Sequence, residues 1–276
     1  MTLPPIAVRL ARTVALAVIL AIGIFNLYQA VIGWTLSDAS AYWQAALRLR
    51  EGEELYVAAG SVDAPDVYRY APWFAWATVP WTFLPVQVAG TLWSMVLLAA
   101  SAVALWPLVQ ARAWILVALF GPILVGISAV GNVHPLLVAG LVHGVERRGG
   151  PLAIAAAASL KIFPILLALV YAGRREWTRL VLALLLAALL WAPALVYDLR
   201  GYTTDPGQAA FLFGIPVLYF VATGLAVGGT LALAATRWGW LAGSVTVVLS
   251  LPRFFVYDVT FLMVGAIPAL QSGRRG

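Results

Sequence analysis

With 276 residues, 63% of them hydrophobic and only 10% charged, the chain excludes a soluble enzyme: no polar stretch is long enough to cover a soluble domain. Its net charge of +6 is read by side of a membrane rather than as a nucleic-acid footprint, and the lack of cysteine removes disulfides, thiol chemistry and cysteine-based metal sites. What remains is an all-α polytopic membrane protein, one domain over residues 1–276, with about eight to ten transmembrane or half-membrane helices implied by the recurring apolar runs.

Residues 13–34 read as the first span, too long for a signal peptide and without a small-residue cleavage site. Arg9 and Arg12 before it place the N-terminus in the cytoplasm, so the loop over 35–85 lies outside. In that loop Tyr42, Ala45, Ala46 and Leu49 repeat at helical spacing opposite Gln44, Arg48 and Glu51. This predicts an interfacial helix capped by Ser37 and stopped at Gly52. Residues 72–84 are apolar but too short to cross upright, and they read as a helix along the outer leaflet ended by Pro85.

Spans over 86–109 and 113–130 follow, then a turn at Gly131-Asn132-Val133-His134-Pro135 and a short helix returning to Arg147-Arg148. Residues 151–171 pose a choice. A straight span would put Arg174, Arg175 and Arg179 on the side opposite Arg147 and Arg148. A break at Lys161-Ile162-Phe163-Pro164 keeps both clusters inside, and proline supplies it. Spans over 179–196, 209–236, 241–251 and 254–270 complete the reading, with the C-terminus cytoplasmic at Arg274 and Arg275.

The acids fall outside: Asp38, Glu51, Glu53, Glu54, Asp63, Asp66, Asp198, Asp205 and Asp258, with Glu146 and Glu176 inside. Lys161 and Arg253 stand beside prolines at gaps between apolar segments. An ionisable group at membrane depth is costly unless paired or facing a wet cavity, which makes both functional candidates. Cations beside a carboxylate suit a phosphate-bearing lipid. Other roles stay open: Asp38 complementing its helix dipole, Lys161 snorkelling, Arg253 and Asp258 forming an ion pair between spans, His134 serving only its turn, and His143 meeting the interface. No second break and no internal repeat is legible, and no metal site or nucleotide loop is present in the sequence.

Asp38-Ala39-Ser40-Ala41-Tyr42, Tyr68-Arg69-Tyr70-Ala71-Pro72, Gly131 to Pro135, Lys161 to Pro164 with Arg174-Arg175, and Ser250-Leu251-Pro252-Arg253 through Tyr257-Asp258 together resemble the polytopic glycosyltransferase family 87. His134 stands where that family has Asn, Ala71 replaces a proline, and Leu251 is an insertion. The resemblance implies a GT-C fold in the cell membrane with the active site at the outer face. It implies transfer of a hexose, mannose in the first place, from a polyprenyl-phosphate donor to a lipid or glycan acceptor, with no cofactor. Asp38 would be the general base of an inverting displacement. Lys161, Arg253, His134 and Arg69 would hold the departing phosphate, with Tyr70, Asn132, Tyr257 and Asp258 completing the substrate-binding set. Membrane lipids, and not nucleic acid, are the surroundings implied. Two rivals remain: a transporter or flippase for a lipid-linked anion, which paired broken helices in two similar halves would favour, and a non-catalytic assembly subunit.

Overall fold

A computed structural model describes residues 5–32, 36–57, 67–202 and 207–272. Asp63, Asp66, Asp205, Arg274 and Arg275, whose sides of the membrane were assigned above, lie outside the described residues. Twelve α-helices form the described fold, and no sheet is present among them.

Helix α1 (Pro5–Val31) leads to α2 (Ser37–Glu51), α3 (Pro72–Thr78), α4 (Val86–Gln110) and α5 (Trp114–Ile127). Then come α6 (His134–Gly144), α7 (Gly150–Leu160), α8 (Ala168–Gly173), α9 (Trp177–Trp191), α10 (Pro216–Leu233), α11 (Gly239–Leu249) and α12 (Met263–Ser272). Four segments are long and apolar enough to cross a membrane: Arg12–Val31, Val86–Gln110, Trp177–Val196 and Pro216–Leu233. Their exposed faces are rich in Leu, Val and Phe, as a lipid-facing surface requires, since apolar side chains there have no water to avoid.

Helix α2 stops at Gly52, whose left-handed backbone (φ 76°) lets its N–H and that of Glu53 reach the carbonyls of Leu49 and Arg48. Its start differs from expectation. Leu36, not Ser37, precedes the helix and no side-chain cap forms; Ser37 is already helical. Its apolar face meets protein rather than lipid, since Ala39, Ala41, Tyr42, Ala45 and Ala46 are buried and the helix packs on α3, the 3-10 helix Val79–Phe83 and α4. Of the expected span 209–236, only Pro216–Leu233 is a continuous helix; Gly207–Ala209 and Leu212–Gly214 are 3-10 turns.

The break at Lys161 is present. Helix α7 ends at Leu160, Lys161 is extended, and a 3-10 turn Phe163–Leu167 leads into α8. Pro164 lacks the N–H that would bond the carbonyl of Leu160. Eleven residues reach only about 16 Å, roughly half a hydrocarbon core, so Lys161 ends a half-length helix.

A second copy of this unit corrects the reading of a single break. The α6–α7 turn closes with Arg147 N–H on the Gly144 carbonyl and Gly150 N–H on that of Arg147. The α10–α11 turn repeats both bonds at the same spacing, from Thr236 to Leu233 and from Gly239 to Thr236. Helices α7 and α11 are each 11 residues long. The second ends before Pro252 and Arg253, then continues through a 3-10 helix (Val256–Leu262) into α12. Both units start at the same end of the bundle, which makes the repeat a parallel one.

The two turns meet at the other end. Arg174 Nε donates to the Ala234 carbonyl (2.7 Å), Tyr171 Oη to the Val145 carbonyl (2.7 Å), and Arg179 to the carbonyls of Val145 and Arg147. Glu146 accepts from Trp240 Nε1 (3.0 Å), and Glu176 from Arg179 (2.8 Å). The two arginine clusters therefore share one end, as the broken-helix reading requires.

A candidate active site at the ends of the half-helices

Gly131 builds the first corner. Its φ of 75° is left-handed, and a Cβ there would sit 2.5 Å from that of Ala39, so only glycine lets α2 settle on this turn. Trp93 Nε1 donates to the Gly131 carbonyl (2.7 Å) and fixes it. The close approach brings Asn132 to Asp38, in the first turn of α2: Asn132 Nδ2 donates to Asp38 Oδ2 at 2.5 Å, while Asn132 Oδ1 accepts from the His134 backbone at 2.9 Å. Among the described residues Asp38 has no other hydrogen-bond partner, which leaves Oδ1 available. Burial pushes the Asp38 carboxyl above its ordinary range; the Asn132 bond and the charges of Lys161, Arg69 and Arg253 pull it back.

The opposite wall comes from the two half-helix ends. Lys161 Nζ donates to Asp258 Oδ1 at 2.9 Å and lies 4.4 Å from the centre of the Tyr257 ring. The other Asp258 oxygen accepts from Phe255 N–H (2.9 Å), which starts the 3-10 helix that presents it. Of the roles left open by the sequence, an ion pair between Arg253 and Asp258 is not the one seen: Asp258 pairs with Lys161. Arg253 instead lies over the Phe255 ring at 5.1 Å, in a segment held by the Phe254 N–H bond to the Ala209 carbonyl.

A cavity of about 500 Å³ lies between these walls, within the range of small-molecule sites. Asp38, Arg69, Tyr70, Asn132, Lys161, Arg253, Tyr257 and Asp258 all line it. His134 does not. Its ring is fully buried beneath the wall, packed on Phe261 and Tyr257 at centroid distances of 4.6 and 5.0 Å. Its Nε2 is 2.7 Å from Thr260 Oγ1, and because that hydroxyl already donates to the Tyr257 carbonyl, the ring nitrogen is the donor. His134 supports the 3-10 helix carrying Asp258 and does not line the cavity, which corrects its reading as a phosphate-holding cation.

Two lining residues escaped sequence reasoning. Tyr202 arrives from the segment after α9, and Tyr42 does more than pack: its hydroxyl is 3.0 Å from that of Tyr70 and accepts from Val133 N–H. Tyr202 carries no motif that points to it. Chemically, the arrangement offers a partly buried carboxylate with one unengaged oxygen, in one cavity with Lys161, Arg69 and Arg253 and near enough to feel their charges. That suits removal of a proton on one side and stabilisation of an anion on the other. No family model, no curated protein and no solved structure matches this chain.

Proposed function

We propose that the chain is a membrane glycosyltransferase that moves a hexose from a polyprenyl-phosphate donor to an acceptor hydroxyl at the outer face. The observation that carries this reading is the single cavity with Asp38 on one wall and Lys161 and Arg253 on the other. Asp38 takes the proton of the acceptor hydroxyl. The resulting oxygen attacks the anomeric carbon from the face opposite the phosphate, the bond to the phosphate oxygen breaks, and the configuration inverts. The departing polyprenyl phosphate gains its negative charge beside Lys161, Arg253 and Arg69, where fixed cations in a poorly solvated site act most strongly. The excess of arginine at the far end of the bundle supports a cytoplasmic assignment for that end, and hence an outer-face cavity. Mannose as the sugar, and the family 87 relationship, rest on the motif resemblance alone.

The repeated half-helices favour a second reading, a transporter of a lipid-linked anion, since paired broken helices around a central site are a transporter device. The Asp38–Asn132 pair lies outside the repeat, and binding alone gives an anion carrier no use for a carboxylate there. One experiment separates the two: membranes containing the wild type or Asp38→Asn are offered a panel of polyprenyl-phosphate sugars. The transferase reading expects a glycosylated product, reduced about 10²–10⁴-fold in the variant at equal expression. Wild-type turnover in Asp38→Asn removes the carboxylate from the chemistry, and lipid movement across vesicles without transfer establishes the transporter.

A further inference from the structure

A second cavity, of about 410 Å³ and mainly apolar, lies between the end of α1, helix α2 and the start of α4. Ala30, Leu36, Trp43, Trp81, Gly90 and Trp93 form its walls, and Ser37 and Tyr42 line both it and the polar cavity. The two spaces therefore flank the same helix turn that carries Asp38. Val86 lines it, and Phe83, Leu84 and Val88 nearby in the chain are likewise exposed apolar side chains, a surface suited to hydrocarbon.

We infer that this cavity receives the hydrocarbon chain of the acceptor, so that the acceptor is an amphiphilic membrane lipid rather than a soluble glycan. The inference rests on the transferase reading for the word acceptor. An apolar chamber and a polar one that share Ser37 and Tyr42 as walls fit one amphiphile laid over that turn, its chain in the first and its head in the second. The side of the site decides which substrate is meant. The donor phosphate belongs beside Lys161 and Arg253, on the wall away from this cavity, whereas the hydroxyl that loses its proton belongs at Asp38. A chain entering past Ser37 and Tyr42 therefore brings its hydroxyl to the base.

The test uses the full chain in nanodiscs with an isoprenoid alcohol carrying a terminal diazirine. Photo-adducts concentrated in residues 36–43 and 81–93, reduced about tenfold by Ser40→Trp, support the inference. Adducts spread over the lipid-facing surfaces of α9 and α10 and untouched by that variant overturn it. Labelling is read independently of turnover, so concentrated adducts with no sugar transfer defeat the transferase reading while the chain site stands. Where transfer is active, wild type prefers a long-chain acceptor to its short-chain analogue, and equal turnover of the two overturns the inference.

Discussion

Asn132 Nδ2 lies 2.5 Å from Asp38 Oδ2, tying the turn after α5 to the first turn of α2. Because the amide oxygen, Asn132 Oδ1, accepts from the His134 backbone N–H, the amide cannot flip without losing a bond, and the carboxylate keeps a fixed orientation. That bond also opposes the effect of burial on Asp38.

The first prediction follows from the sign of these effects. A base works ionised, so turnover falls as pH drops through the folded-state pKa of Asp38. Asn132→Ala removes an influence that lowers this pKa, and the acid limb of the pH–rate profile moves to higher pH. Stability runs the other way. The folded pKa lies above the ordinary 3.8, so the stabilising contribution is fully present below that value and is lost as pH rises through the folded pKa. Asp38→Asn is therefore expected to cut transfer about 10²–10⁴-fold while leaving the Tm at neutral pH equal or higher. An acid limb that does not move in Asn132→Ala would show that the amide does not govern the carboxylate.

The second concerns the pair behind the cavity wall. Asp258 is almost wholly buried, and among the described residues its closest cationic partner is Lys161 at 2.9 Å, with the His134 ring 3.9 Å away. Lys161→Met strands that carboxylate and is expected to lower stability by about 3–5 kcal/mol, read as thermal unfolding in detergent. Adding Asp258→Asn restores most of the stability but not the transfer activity, since the cation facing the phosphate is still missing. A single variant as stable as wild type would show that the pair contributes nothing to the fold.

Local chemistry made part of this legible. Apolar run lengths gave the long spans, arginine placement gave the two ends, and Pro164 gave the break at Lys161. The repeat was hidden because its copies share backbone geometry and little residue identity: Arg147-Arg148-Gly149-Gly150 in one turn and Thr236-Arg237-Trp238-Gly239 in the other agree only at one Arg and one Gly, too short a match to register. The second break, at Ser250 to Arg253, looked like an ordinary gap between spans. His134 and the partner of Asp258 depend on which surfaces pack together, and spacing along the chain carries no record of that. Tyr202 reaches the cavity from a distant segment with no pattern of its own.

The repeat itself makes the third prediction. A Cβ on Gly150 or Gly239 would collide with a backbone carbonyl, of Val145 and Ala234 respectively, and backbone oxygens cannot turn aside. Gly150→Ala and Gly239→Ala are each expected to cost about 1–3 kcal/mol. Gly228→Ala, in α10 where nothing lies near the added carbon, is the control and should be neutral or gain up to about 1 kcal/mol from helix propensity. Equal Tm values for all three would mean that the turns relax freely and that their shared geometry has no energetic consequence.

The fourth prediction tests the sidedness on which the outer-face cavity depends. The chain has no cysteine, so a single introduced thiol reports without background. Glu53 follows α2 at the end that holds the cavity, and Arg237 lies in the α10–α11 turn at the far end; both are exposed. In intact cells a membrane-impermeant maleimide should label Glu53→Cys and leave Arg237→Cys unlabelled until the membrane is opened. Arginine clusters are retained on the cytoplasmic side during insertion, and Arg147, Arg174 and Arg179 gather at the Arg237 end through the bonds that close the two turns. The opposite labelling pattern would put the cavity on the cytoplasmic side. It would then face donors assembled in the cytoplasm, and transfer at the outer face would have to be abandoned.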